Sequence, residues 1–454
     1  MNWFSSLFET KTVARPSRQT LENPTDPGLA DAAQGAEISN PYHIQVNGLA
    51  AAQLKMYAPL RDLDDASLNA LPQRSLWYRQ GDVLFTIGQR TNSVLYLLSG
   101  QLQMQPDAEN SYEITANSTL SALPLNCGSR YGATATANTE VRILEIPIEL
   151  NRLWAEKCRE DSECIELVDI QMPPQISGSR FFSSFAQAFR ENKLRLPSLP
   201  DVALKLKDAI QNNVGVHDAA EIIQLDPAIV AKLIQVANSP LYTTGQPIGN
   251  CHDAVARIGL NATRTLVMSI SLKQLFSCTD PELMKGMLGL WKNSLYVSSL
   301  SFVLAQECSN INPEDALLAG LIADIGAIPL MHYAEQFPDG GPSFAELEAA
   351  LPYLRGPVGA LTLHTLGFPD SLGNIPFYAE NWLYDSGSML TVTDIVILAK
   401  LHSYFGTGAA RDLPFINSIP AYSKLIHGKL NPDFSLMVLK KAQSRVHAAM
   451  NFLS

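Results

Sequence analysis

Along the chain the spacing of apolar positions changes three times, and each change marks a different kind of structure. The first ~45 residues mix Pro, Thr, Ala, Asp and Gln with little periodic hydrophobicity, which predicts a disordered segment over 1–48. Its opening, MNWFSSLFETKTV, is the exception. There Trp3, Phe4, Leu7 and Phe8 share one face of a short helix, suited to weak contact of residues 1–13 with a membrane surface or a partner. It lacks the basic n-region and small-residue cleavage site of a signal peptide. Over 49–155 the texture turns to short apolar alternations punctuated by glycine, which predicts an antiparallel all-β unit preceded by a helix. Leu76-Trp77-Tyr78, Val83-Leu84-Phe85, Val94 to Leu98 and Val141-Arg142-Ile143-Leu144 supply strands. Gly81, Gly88 and Gly100 fall at the tight connections between them, where positive φ is needed.

A third texture follows. The acidic run WAEKCREDSECIELVDI and the breaker MPPQISGS predict a helical linker over 156–185. From there the chain reads as helical to its end. Asp226-Pro227 and Asn312-Pro313 each place a capping side chain just before a proline at the first helical position. Asn261 is expected to cap ATRTLVMSISLKQLF, and Asn238-Ser239 to close the helix before it. A last amphipathic helix, NPDFSLMVLKKAQSRVHAAMNFL, lies in a C-terminal segment 411–454. Its Phe434, Met437, Val438, Ala442 and Val446 would pack on the helical domain or make a homo-oligomer contact. The pattern predicts a multidomain α+β chain: a β-roll or jelly-roll-like domain, then an all-α domain over 186–410.

Composition narrows the function. Apolar residues make up 46% and charged residues 17%, enough for sizeable cores, yet no uninterrupted apolar run approaches the ~20 residues of a membrane span. A net charge of −11 without a dense Lys/Arg stripe argues against direct nucleic-acid binding. The six cysteines show no CxxC spacing, so neither a zinc site nor a disulfide framework is signalled and a cytoplasmic setting is expected.

The segment YAPLRDLDDASLNALPQRSLWYRQGDVLFTIGQRTNSVLYLLSGQLQM resembles the first half of a cyclic-nucleotide-binding domain. In that family a phosphate cassette sets a Gly-Glu pair on the ribose and an arginine on the cyclic phosphate, which a guanidinium matches in a bidentate way. The corresponding stretch here is STLSALPLNCGSRYGATATANTEVRILEIP. Arg130 with Ala133-Thr134 follows the family's Arg-Thr-Ala-Thr pattern one residue out of register, and no Glu stands near Ser121-Ala122-Leu123. Arg130 and Thr134 are the candidate anion or nucleotide contacts of a pocket that reads as eroded. The resemblance then implies a module for docking, dimerisation or an altered ligand.

The helical region resembles the HDOD domain, a signalling module related to HD phosphohydrolases, over roughly 190 to 385. The motifs LPSLPDVALKL, LDPAIVAKLIQVANSPLY, IGNCHDAVARIGLNATRTLV, LWKNSLYVSSL, ALLAGLIADIGAIPL and VGALTLHTLGFP stand in the family's order. HD enzymes hold one or two divalent metals with a first His, a His-Asp pair and a later Asp. Carried onto this chain, the first position is Asn293 and the pair is Ala323-Asp324. Arg355 and Ala379-Glu380 stand where related sequences carry further histidines, and the later acid is read as Asp394 in TVTDIVILAK. These are vestigial metal positions, so no catalytic residue, metal or cofactor is assigned. Asp324 is expected to cap a helix or make a buried hydrogen bond. His252, His332, His364 and His402 are isolated in the sequence and read as packing or surface residues.

Two classes of function remain. One is a non-enzymatic bacterial signalling protein whose two domains sense and bind an unidentified protein partner or a nucleotide second messenger. The other is a metal-dependent phosphohydrolase or phosphodiesterase of the HD superfamily. A cyclic-nucleotide sensor is a narrower third reading.

Overall fold

A computed structural model describes residues 38–154 and 178–425, except 47, 108–109, 151–152, 192, 195, 212–213, 239–245, 338–340 and 405–412. Among the described residues the N-terminal domain has eight strands: β1 (His43–Val46), β2 (Arg74–Tyr78), β3 (Val83–Phe85), β4 (Ser93–Ser99), β5 (Gln101–Gln105), β6 (Tyr112–Thr115), β7 (Thr134–Ala137) and β8 (Val141–Pro147). They form two antiparallel sheets, ordered β1-β2-β8-β4 and β3-β7-β5-β6. Strands β4 and β8 read as nearly continuous apolar runs because both their faces are covered. Leu95, Leu97, Val141 and Ile143 point between the sheets against Phe85, Leu102 and Met104. Val94, Tyr96, Leu144 and Ile146 point outward, under Leu54, Leu60 and Leu68 of the short helices α1 (Ala51–Leu54) and α2 (Asp65–Ala70) and the turn between them. Gly81, Gly88 and Gly100 all take positive φ. At Gly100 a Cβ would also stand 2.3 Å from the Glu140 carbonyl oxygen, so the β4–β5 turn admits no side chain.

The helical domain runs α3 (Arg180–Arg190), α4 (Asp201–Gln211), α5 (Val216–Ile223), α6 (Pro227–Ala237), α7 (Cys251–Ile258), α8 (Leu260–Leu275), α9 (Pro281–Cys308), α10 (Pro313–Ile322), α11 (Ala327–Gln336), α12 (Phe344–Thr365), α13 (Asp370–Gly373), α14 (Ile375–Tyr378), α15 (Val392–Ser403) and α16 (Pro420–Ser423). The expected caps hold at two starts. Asp226 accepts from the Ala228 and Ile229 amides, and Asn312 from that of Glu314. The long helix α9 packs along α10 and α15, with small residues between them: a Cβ at Gly320 would stand 2.8 Å from Ser298 Cα.

Several boundaries differ from expectation. Residues 43–46, placed in the disordered 1–48, form an edge strand whose four side chains are all exposed. Backbone pairing, from His43↔Trp77 to Val46↔Arg74, holds it, together with the His43 ring set edge-on to Trp77 at 4.7 Å between ring centres. The linker 156–185 ends early, because Phe181, Phe182 and Phe185 of α3 already belong to the helical core. Asn261 is no cap: α8 starts two residues sooner, behind Gly259, whose φ of 88° only glycine takes easily. Asn238 closes α6 by a two-way clasp with the Ile248 backbone, both bonds 2.7 Å; Ser239 lies outside the described residues. So do residues 1–13 and the C-terminal helix. The stretch Pro313–Gln336 is apolar enough and long enough to cross a membrane, longer than the sequence suggested. It folds as α10 and α11, broken by a turn at 323–326, and is largely buried inside the domain.

Candidate functional site

The turn between α10 and α11 carries Asp324 into the helical core. Gly326 permits this, since a Cβ there would stand 2.1 Å from the Arg355 carbonyl oxygen. The turn therefore lies against α12 at the level of Arg355. Asn293 comes from the middle of α9, Lys400 from α15, Glu380 from just beyond α14, and Tyr404 closes α15. Lys400 Nζ is 2.5 Å from Asp324 Oδ2, and Asn293 Nδ2 donates to the same oxygen at 3.1 Å. Arg355 Nη1 lies 2.9 Å from Asp324 Oδ1, and its other terminal nitrogen meets Glu380. Lys400 is also 3.6 Å from Glu380, which accepts the Tyr404 hydroxyl. Two acids and two bases thus cancel in a nearly closed ring. Only that cancellation makes its burial tolerable.

The electrostatics agree. Burial alone would raise the Asp324 pKa, but the charges of Lys400 and then Arg355, with hydrogen bonds from Lys400 and Asn293, hold it at about 2. Arg355 is depressed by burial, yet Asp324 and Glu380 outweigh that and keep it above its ordinary value. The Tyr404 phenol is driven up by burial and then by the Glu380 charge. All three shifts fix charge states rather than poising a group to exchange protons near neutrality.

The resemblance to HD phosphohydrolases would imply a divalent metal here, and the residues do not fit one. A metal of that kind needs free carboxylate and imidazole lone pairs. Both Asp324 oxygens already face cations. None of the imidazole positions carries an imidazole: Ala323 and Ala379 are buried in an apolar cluster with Ala319, Ile375 and Val396, and Asn293, Arg355 and Glu380 are engaged in the charged ring. A divalent ion beside Asp324 would also sit against an ammonium and a guanidinium, repulsion that the low dielectric of the core amplifies. Above the cluster opens a cleft of about 520 Å³, whose walls include Lys285, Leu290, Asn293, Leu351, Arg355 and Tyr404.

Of the residues singled out in the sequence, Asn293, Asp324, Arg355 and Glu380 come together, and Ala323 and Ala379 lie beside them in the apolar cluster. Asp394 does not join them. It is the third residue of α15, where its Oδ2 accepts from Thr391 N at 2.8 Å and Ser386 Oγ at 2.6 Å, and its Oδ1 pairs with Lys424 at 3.0 Å. Six residues on a helix turn the side chain about 240°, so the member of α15 that faces Asp324 is Lys400. Of the two roles expected for Asp324, the buried hydrogen bond is present, from Asn293 and Lys400, and the side-chain cap is not; Asp324 is in addition the shared anion of two cations. Lys400 went unassigned, although a lone lysine inside the apolar run IVILAKL was its signal. Tyr404 left none.

In the β-roll, Arg130 is exposed at the rim and donates to the Gly88 carbonyl at 2.8 Å. Thr134 Oγ1 accepts the Ile87 amide at 3.1 Å. Neither side chain converges on an anion site. The neighbouring Tyr131 turns inward and stacks on Phe85 at 3.9 Å between ring centres, filling the space between the sheets.

Residues 75–153 match the family model of the cyclic nucleotide-binding domain, and residues 196–373 that of the HDOD domain. Among solved structures, a Shewanella amazonensis SB2B protein provisionally named a metal-dependent phosphohydrolase is 26% identical. The match covers 59% of this chain and 97% of that one, at a TM-score of 0.50. An HDOD domain protein of unknown function from Geobacter sulfurreducens is 18% identical over 59% of this chain and 93% of its own, at 0.39. An uncharacterized protein of Treponema pallidum (strain Nichols) is 24% identical over 182 residues, 40% of this chain; the match spans about a third of that relative's length, 34%.

Proposed function

Because the chain joins a cyclic nucleotide-binding domain to an HDOD domain in that order, we propose that it is a regulatory protein whose HD-like centre is non-catalytic. The observation that carries this reading is the pairing of Asp324 with both Lys400 and Arg355. Two tethered cations stand against the carboxylate that a hydrolase would spend on metal, so the centre is a structural lock. Regulation then works through changes in domain packing and partner binding rather than bond cleavage. The soluble-domain families and the acidic charge suit a cytoplasmic role in signal transduction.

The provisional name of the Shewanella protein favours the hydrolase reading. The donor set of this chain weighs against it. Purified protein incubated with bis(p-nitrophenyl) phosphate and with cyclic dinucleotides, in Mn²⁺ and in Mg²⁺, is expected to give no turnover above a buffer blank. Turnover that disappears in Asp324→Ala would return the chain to the hydrolases.

A further inference from the structure

Residues 413–424 lie beyond the helix that carries Lys400, and they touch both domains. On one side they belong to the helical core, where Ile419 and Ala421 are fully buried. On the other they sit on the β-roll loop that stands in the place of the phosphate cassette. Beside that loop, Phe415 stacks on Tyr112 of strand β6 at 3.6 Å between ring centres. Asn417 Nδ2 donates to the Gly132 carbonyl at 3.1 Å, and the Cys127 amide donates to the Ser418 carbonyl at 2.9 Å. The loop is shaped for this contact. A Cβ on Gly132 would stand 2.0 Å from the Asn417 carbonyl oxygen, and one on Gly128 2.6 Å from Ser423 Cβ.

The same segment ends on the head of α15. Lys424 Nζ meets Asp394 Oδ1 at 3.0 Å, Asp385 at 2.7 Å and Ser386 Oγ at 2.8 Å. Asp394 is fully buried and forms the capping box of α15 with Thr391. Removing its lysine would leave a buried carboxylate short of positive charge and loosen the first helical turn. Lys400 follows six residues later, about 9 Å along the axis.

We propose that residues 413–424 form a coupling element: their seat on the cassette loop Leu123–Gly132 holds Lys424 on Asp394, so that whatever occupies that loop releases the head of α15. The face that carries ligand chemistry in the related family is thereby turned into a dock for the chain's own segment. Displacing residues 415–418 from the loop is therefore the event that frees Lys424. This holds whether or not the Asp324 centre is catalytic.

Hydrogen exchange read by mass spectrometry on the full chain tests it. Phe415→Ala and Asn417→Ala are expected to raise exchange about tenfold at residues 392–396, the size of a loss of ~1.4 kcal/mol in local opening free energy, with α4 to α6 unchanged. Lys424→Met should reproduce the effect at 392–396 and leave the cassette loop as it was. Gly132→Ala, if it folds, should match Phe415→Ala. Changes confined to 123–132 and 413–418, or a uniform rise over the whole helical domain, overturn the proposal.

Discussion

Lys400 Nζ and Asp324 Oδ2 lie 2.5 Å apart, and both side chains are 1% exposed. A pair so deeply buried does not by itself add stability over an apolar pair of the same volume, because each charge gave up its hydration. Breaking it by removing one partner is a different matter. Lys400→Met should therefore destabilise the protein by about 3–5 kcal/mol, and Lys400→Met with Asp324→Asn by clearly less, since the second change removes the stranded anion. Urea unfolding of the two variants separates these outcomes.

Acid should act through the same carboxylate. Its pKa of about 2 lies below the ordinary 3.8, so its contribution is present in full above pH ~4 and lost as pH falls towards 2. The difference corresponds to roughly 2 kcal/mol. Asp324→Asn should flatten stability over that window, as measured by urea midpoints at half-unit pH steps.

Gly326 tests how the turn delivers Asp324. A Cβ there would press on the Arg355 carbonyl oxygen, a backbone atom that no rotamer change can move aside. Gly326→Ala is expected to cost about 2–3 kcal/mol, read from thermal or urea unfolding. Gly215→Ala meets open space and serves as the matched control.

The β-roll should not respond to cyclic AMP or cyclic GMP. Arg130 is spent on the Gly88 carbonyl and Tyr131 fills the interior. Titration calorimetry is expected to show no heat of binding, and Arg130→Ala to change stability by less than about 0.5 kcal/mol, as for an exposed loop residue. Saturable binding lost in Arg130→Ala would reinstate a nucleotide site.

What could be read from the sequence was what local chemistry decides. The glycine turns at 81, 88 and 100 and the caps at Asp226 and Asn312 need only their own neighbours. Strand β1 escaped because its four side chains are exposed and its hold is backbone pairing with one ring contact, His43 on Trp77, across the strands. The choice between Asp394 and Lys400 escaped for the opposite reason. Residues 394–402 of α15 are all buried, so the helix shows no amphipathic period to say which position faces which neighbour. Arg355 and Glu380 were seen as replacements for histidines, but that they would close a ring with Asp324 depends on α12, α14 and α15 meeting, which no spacing reports.

Metal content measured on protein purified without chelator, together with a Mn²⁺ titration, tests the central claim most directly. The paired centre predicts less than a tenth of an equivalent of any divalent transition metal and no Mn²⁺ binding at millimolar concentration. About one equivalent of bound metal, lost in Asp324→Ala and retained in Asp394→Ala, would contradict it.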